Sequence, residues 1–430
     1  MKKSDYIAPK GTRDYIYPET CKRRKIENSA RLLFNLHNFK EIETPIFEHT
    51  GLFVRGIGEG TDIVEKEMFT LTDQSSRSIT LRPEGTAGVV RSFVELSLHS
   101  NPLMRRVYYI GPMFRKERPQ SGRMRQFQQI GLEMFGYDAP EADYEVISIF
   151  TNFFTMLGLK NLSLKVNSMG CRRCRSDYIT VLSSYLSKNA DLICKDCKER
   201  LDKNILRVFD CKNENCAVII NKAPVLRSFL CNDCDTNFSV VLGYLEKFKV
   251  SHHIDHKLVR GFDYYTRTNF EMVSGELGAQ NAVGGGGRYD YLIADLGGSD
   301  YPALGFAIGL ERTMLALERQ GKETEVEDGL DYFIAVLGRD QMSYSIEVME
   351  KIQSLGRSAE IDYSRDSLKS QLRHANNIGA KYCIIIGEDE VINKRLTMKD
   401  LQSGEQVQVE LINLERVISD NKMGVGERNC

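Results

Sequence analysis

Residues 259–271 read VRGFDYYTRTNFE, and a second stretch, GGGGRYD at 284–290, follows soon after. The first places a guanidinium (Arg260), a permissive glycine (Gly261), a carboxylate (Asp263) and two phenols (Tyr264, Tyr265) close together. The alternation in TRTNFE predicts a strand, so alternate side chains face one pocket. On that pattern Tyr264 and Tyr265 point opposite ways, one lining the pocket while the other packs. A glycine run beside such a strand lets a backbone approach a ligand closely. Taken alone, the same residues also describe an aromatic hairpin with a flexible loop. Neighbouring segments decide between the two.

Upstream, Val107–Gly111 and Gln126–Gly136 read as two strands joined by a polar loop, FRKERPQSGRMR at 114–125, with five basic residues. Where the first strand runs into this loop, Arg115 and Glu117 are two apart and share a face. Such an arginine can bind phosphate with paired donors, and a carboxylate beside it steadies the fork. On the second strand Gln129, Gly131 and Glu133 share a face, which makes a sheet floor too polar for an ordinary core. Ile79–Leu81 reads as a strand ending in Arg82-Pro83-Glu84-Gly85-Thr86, a turn that opens a helix. Glu84 suits an ammonium ion there, or caps the helix, or both. Earlier still, Ile26, Ala30, Leu33 and Phe34 recur at helical spacing over 19–38, and Phe39–Ile46 reads as a strand that meets Pro45.

These residues resemble the histidyl-tRNA synthetases, a class II family, over essentially the whole chain. The three class II motifs stand in order: the helix and strand ending at Pro45, FRKE at 114–117 with its loop and return strand, and GFAIGLER at 305–312. LVRGFDYYTRT and GGGGRYD match the motifs specific to histidine, and Pro83-Glu84-Gly85-Thr86 matches as well. The resemblance implies activation of L-histidine with ATP and Mg²⁺, transfer to the 3′-end of tRNA(His), and a homodimer. Catalytic roles then fall to Arg260 and Arg115, which would flank the α-phosphate and the carboxylate. It assigns ATP to Arg115, Glu117, Arg123 and Arg312. It assigns histidine to Glu84, Gly85, Thr86, Gln129, Glu133, Arg260, Tyr264, Tyr265 and Tyr289. Tyr291, where glycine is more usual, and Glu65 depart from the family pattern. The rival reading is a synthetase-like regulatory subunit of histidine biosynthesis, which binds histidine without charging tRNA.

Composition agrees with this class. The 430 residues are 42% hydrophobic and 27% charged, with a formal net charge of −1. That describes a globular chain without a membrane span, so any RNA contact rests on local basic patches. The start, MKKSDYIAPKGTRD, lacks the apolar core of a signal peptide, and a cytoplasmic location is expected. Eight of the eleven cysteines fall between Cys171 and Cys234. The pairs Cys171/Cys174, Cys194/Cys197, Cys211/Cys216 and Cys231/Cys234 are candidate zinc ligands, three of them with the two-residue spacing that suits one ion. Reduced thiols packed between helices are the alternative, and spacing does not reveal which pairs would share a metal. Basic Arg172, Arg173, Arg175, Lys195 and Lys198 suit contact with the acceptor arm of tRNA.

The expected fold is α/β. An α+β catalytic domain on an antiparallel sheet with flanking helices occupies 1–160 and 251–318. A mostly helical, cysteine-rich insertion (161–250) interrupts it, and a linker (319–330) leads to an α/β anticodon-binding domain with a mainly parallel sheet (331–420) and a tail (421–430).

Overall fold

The computed structural model describes residues 6–278, 281–322, 329–364 and 367–420. The chain divides into a unit running to Thr324 and a second from Glu325. In the first, α1 (Glu19–Leu36) buries Ile26, Ala30, Leu33 and Phe34 at the expected spacing. The strand expected over 39–46 shrinks to β1 (Lys40–Glu41). Beyond it the backbone leaves the ladder, because the carbonyl of Thr44 accepts instead from the Arg82 guanidinium at 2.8 Å. The chain then passes into a small antiparallel sheet, β2 (Phe47–His49), β3 (Phe69–Thr72) and β4 (Ser78–Leu81), with α2 (Thr50–Ile57) after its first strand.

Helix α3 (Thr86–Glu95) precedes the long hairpin β5 (Arg106–Phe114) and β6 (Gln126–Phe135), then α4 (Pro140–Met156) and β7 (Leu162–Ser168). Four helices follow: α5 (Arg172–Lys188), α6 (Lys195–Lys203), α7 (Glu214–Ile220) and α8 (Asn232–Lys247). The unit closes with β8 (His253–Ile254), β9 (Thr266–Ser274), β10 (Ala282–Arg288), α9 (Leu292–Asp295), β11 (Ala303–Gly309) and α10 (Leu310–Arg319). Eight strands form one sheet in the order β1-β5-β6-β11-β10-β9-β7-β8. Its interior pairings are antiparallel, and only the edge pairs β1–β5 and β7–β8 are parallel.

One face of this sheet is packed by α1, α4 and α8. Phe150 sits at the centre, its ring 5.0–5.2 Å from those of Phe154, Phe270 and Phe306. Fully burying one such side chain stabilises the fold by about 1.5–3 kcal/mol. The insertion expected over 161–250 is therefore narrower at both ends. Leu162–Ser168 is β7 of the main sheet, and Phe238, Val241 and Leu245 of α8 belong to the main core. Between them the cysteine-rich helices gather a core of their own around Tyr178, Leu182, Leu186, Val208 and Cys216.

The second unit contains β12 (Tyr332–Val336), α11 (Met342–Ser354), β13 (Ala359–Ile361), α12 (Leu368–Asn377), β14 (Tyr382–Ile386), α13 (Glu388–Ile392), β15 (Arg395–Asp400), β16 (Gln406–Glu410) and α14 (Leu414–Asp420). The sheet order is β13-β12-β14-β15-β16, with the first three strands parallel. Apolar clusters cover both faces, as a parallel core requires. The Gln371 carboxamide closes a strand end, accepting from Val336 N–H at 2.9 Å and donating to its carbonyl at 2.8 Å. Helix α13 was not expected from the sequence. The expected tail, 421–430, lies outside the described residues.

Candidate active site

The opposite face of the large sheet, packed in part by α3 and α9, floors a cavity of about 280 Å³. Strand β6 sends Gln129 and Glu133 up into it, as their even, four-residue spacing requires. From β10 the glycines let other groups lie flat on the floor: a Cβ at Gly285 would stand 2.6 Å from the Arg260 guanidinium. The glycine run is thus a paired strand in mid-sheet, not a flexible loop. On β11, a Cβ at Gly305 would meet Glu133 Oε2 at 1.9 Å, so the carboxylate occupies space a side chain would fill.

The cavity has two chemically distinct ends. At one, Glu133 is 1% exposed. It accepts from Thr86 Oγ1 at 2.7 Å and from the Tyr289 hydroxyl. Burial pushes its carboxyl up to about 8, against the pull of these two hydrogen bonds. Tyr264 and Tyr265 both line this end, their rings 4.8 Å apart, and Tyr264 meets Tyr289 edge to face at 5.6 Å. The expectation that the two tyrosines point opposite ways is corrected here. Both precede β9, which begins at Thr266, so strand alternation does not govern them. Glu84 accepts from the backbone N–H groups of Thr86 and Ala87 at 2.7 and 2.8 Å, so it caps α3 while lining the cavity. Burial raises its carboxyl too.

At the other end stand Arg115, Arg123, Arg260 and Arg312 with Glu117 and Glu271. Arg123 pairs with Glu117 at 2.8 Å, and Arg260 pairs with Glu271. Arg115 donates to the Pro83 carbonyl at 2.9 Å and lies over the Phe127 ring. Burial, with Arg123 alongside, pulls Arg312 down to about 10. Four guanidiniums against Glu117, Glu271 and Glu311, the last already paired with Arg23, leave this end cationic, as an anionic ligand requires.

Every residue singled out from the sequence for contact with histidine or ATP lines the cavity except Gly85. A Cβ there would strike the Tyr109 ring at 2.3 Å, so Gly85 makes room for packing beneath the site. Two residues escaped the sequence reading. Glu271 ends the stretch quoted first and faces the cavity from β9, where strand alternation could have found it. Tyr109 is enclosed, and burial suppresses the acidity of its hydroxyl. Nothing in the sequence distinguishes it from a core tyrosine.

The sequence model of the family described as Histidyl-tRNA synthetase matches residues 11–183 and 187–313. The chain belongs to the histidyl-tRNA synthetase family. A second model, Anticodon binding domain, matches residues 331–421. The histidine–tRNA ligase of Halothermothrix orenii is 47% identical over 95% of this chain and 98% of its own length. That of Natranaerobius thermophilus is 44% identical over 96% and 98%. Among solved structures, apo histidyl-tRNA synthetase of S. aureus aligns with a TM-score of 0.81 at 35% identity, covering 96% of this chain and 99% of that one. A Bacillus halodurans protein titled as an ATP phosphoribosyltransferase regulatory subunit/histidyl-tRNA synthetase shares the fold, with a TM-score of 0.64 at 21% identity over 87% and 97%.

Within the histidyl-tRNA synthetase frame, the third class II motif has a second, structural duty. Glu311 accepts from Arg23 at 2.8 Å and from the Gln128 backbone at 3.0 Å, tying α1 and β6 to the start of α10. Its neighbour Arg312 is thereby held at the cavity. The two departures from the family pattern have partners: Tyr291 lies under the Arg172 guanidinium at 4.2 Å, and Glu65 pairs with Lys203 at 2.9 Å.

Proposed function

We infer that the chain joins L-histidine to tRNA(His) in two steps, and that both occur in the cavity just described. The supporting observation is the division of that cavity. One end offers carboxyls and phenols to an imidazole and an ammonium ion, and the other offers four guanidiniums to a triphosphate. The first step is an in-line displacement. A carboxylate oxygen of histidine bonds to the α-phosphorus of ATP as the bond to the pyrophosphate oxygen breaks. Arg115 and Arg260 would neutralise the charge that grows there, and Arg123 and Arg312 would hold the outer phosphates. Glu84, Thr86 and Gln129 would take the ammonium group. The Gln129 carbonyl oxygen is buried with no hydrogen-bond partner among the described residues, which suits a donor arriving with the ligand.

Glu133, with Tyr264, Tyr265 and Tyr289, would take the ring. A buried polar site left unpaired by an apolar side chain rejects such a substrate strongly. Magnesium would enter on the phosphates, with Glu117 and Glu271 among the carboxylates at that end, and would supply further charge neutralisation. In the second step the terminal ribose hydroxyl of the tRNA attacks the adenylate carbonyl and AMP leaves.

A homodimer and a cytoplasmic location belong to this reading. Exposed Leu32, Leu36, Ile46 and Phe47, around the first class II motif, support the dimer, and no helix among the described residues is long and apolar enough to cross a membrane. Zinc is proposed as a structural ion of the cysteine-rich segment, with no part in the reaction. Of the basic residues suggested for tRNA contact, Arg172 and Arg175 are tied to other parts of the fold, whereas Arg173, Lys195 and Lys198 are exposed, Lys195 beside Glu199 at 3.9 Å, and are the ones proposed for that role. The regulatory-subunit reading accounts neither for four guanidiniums at the cationic end nor for the anticodon-binding match.

The test is pyrophosphate exchange into ATP with each amino acid supplied singly. Histidine alone should drive exchange, and Arg260→Ala should lower it by at least about 100-fold. Histidine binding without exchange in the folded wild type would favour the regulatory reading.

A further inference from the structure

The eight thiols of the cysteine-rich segment form two groups. The sulfurs of Cys171, Cys174, Cys231 and Cys234 lie within 4.8 Å of one another, and so do those of Cys194, Cys197, Cys211 and Cys216. The first pair thus joins the fourth, and the second joins the third inside it. Cys171 and Cys174 Sγ are 3.5 Å apart, and Cys194 and Cys211 Sγ 3.8 Å. A tetrahedral zinc with Zn–S bonds of about 2.3 Å requires sulfurs roughly 3.8 Å apart. None of the eight is in a disulfide. Each group also receives a backbone donor on sulfur: Cys231 N–H to Cys174 Sγ and Cys194 N–H to Cys216 Sγ, both at 3.1 Å.

Both groups are wired to the loop at 260–265. Arg175, next to Cys174, donates to the carbonyls of Asp263 and Tyr265, the former at 3.0 Å. Between Cys197 and Cys211 the chain carries Asn204, which donates to Asp263 Oδ1 at 2.7 Å, and Arg207, whose guanidinium reaches the Arg260 carbonyl at 3.4 Å. Arg172, beside Cys171, forks onto Asp295 at 2.7 Å. The loop thus gripped is the one that delivers Arg260, Tyr264 and Tyr265 to the cavity. It makes no regular ladder of its own, so these contacts are much of what fixes it.

We propose that the chain carries two nested four-thiolate zinc sites which together hold the histidine-binding loop in place, with Arg175 and Asn204 as positioning residues. The second half of this rests on the cavity being the histidine site. The first half does not.

The experiment measures zinc by mass spectrometry in full-length protein purified reduced and without chelator, alongside the KM for histidine and for ATP in pyrophosphate exchange. Two zinc ions per chain are expected. Cys171→Ser/Cys234→Ser and Cys194→Ser/Cys216→Ser should each remove one. Cobalt titration of the wild type, read by its thiolate charge-transfer absorption, should saturate at two equivalents even if a cysteine variant fails to fold. Arg175→Ala and Asn204→Ala should keep both ions and raise the histidine KM about tenfold, leaving the ATP KM and kcat within about twofold. Zinc well below two per chain, with cobalt failing to reach two equivalents, overturns the sites. An unchanged histidine KM in both positioning variants overturns the coupling. Two ions in a chain that shows no histidine-dependent exchange would leave the sites standing and refute the ligase reading instead.

Discussion

Glu133 sets an expected pH dependence for histidine binding. Burial pushes its carboxyl up to about 8, while a free imidazole titrates near about 6.5. Between these values the carboxyl brings one proton to the encounter and the ring brings none, so the pair shares a proton without gaining or losing one. Below the window the ring carries a second proton, and above it neither has one. Histidine KM should therefore be lowest between about 6.5 and about 8, and Glu133→Gln, which keeps a donor at every pH, should flatten the alkaline rise. A wild-type KM that keeps falling past pH 9 would contradict this. The same shift bears on folding. The native state retains a proton that the unfolded chain releases above 4.5, so this carboxyl's contribution to stability is lost as pH rises through about 8. That Glu133 and Gln129 share a face follows from strand period alone. The environment of Glu133 does not, because it depends on the absent side chain at Gly305, its register partner on β11, which lies far along the chain.

Among the elements, β10 shows how a motif residue can serve the fold. Arg288 belongs to GGGGRYD, yet it is fully buried on the packed side, where Nε and Nη2 reach Asp143 Oδ2 at 2.7 and 2.6 Å. It also donates to the carbonyls of Tyr137 and Ala139 at 2.9 and 3.0 Å. Arg288→Leu leaves Asp143 buried and unpaired, which should cost about 3–5 kcal/mol in urea unfolding. Adding Asp143→Leu should recover much of that loss. If the single variant loses less than about 1 kcal/mol, the pair is not the clamp described. Spacing identified most helices and strands, since α1, β5, β6 and the second unit's alternation carry strong periods. It misplaced Tyr264 and Tyr265 because period-2 reasoning holds only inside a strand, and theirs starts one residue later. The short β1 and the entry of β7 into the main sheet depend on distant partners, Arg82 and β9, which no local window contains.

For the whole molecule, each of the two units has its own apolar core. Residues 1–324, expressed alone, should keep histidine-dependent pyrophosphate exchange within a few-fold of the full chain. Charging of tRNA by the same fragment should fall by about 100-fold or more, since the second attachment to a large ligand multiplies the first. Equal charging by fragment and full chain would remove the anticodon role from the second unit. The division between the two units was legible because it falls in a contiguous charged run, 319–330. The pairing of the cysteines was not, since four pairs along a line are compatible with several closures and only the packing of α5 through α8 selects one.

That selected closure also implies an order of assembly. Cys197 and Cys211 are about 14 residues apart in the chain, whereas Cys174 and Cys231 are about 57 apart. Closing the longer loop from an open chain costs about 1.2 kcal/mol more in entropy. Once the inner thiols have met, however, much of the intervening chain is already gathered and the outer closure spans a shorter effective loop. The cysteine-rich segment is thus built to come together from the inside outwards.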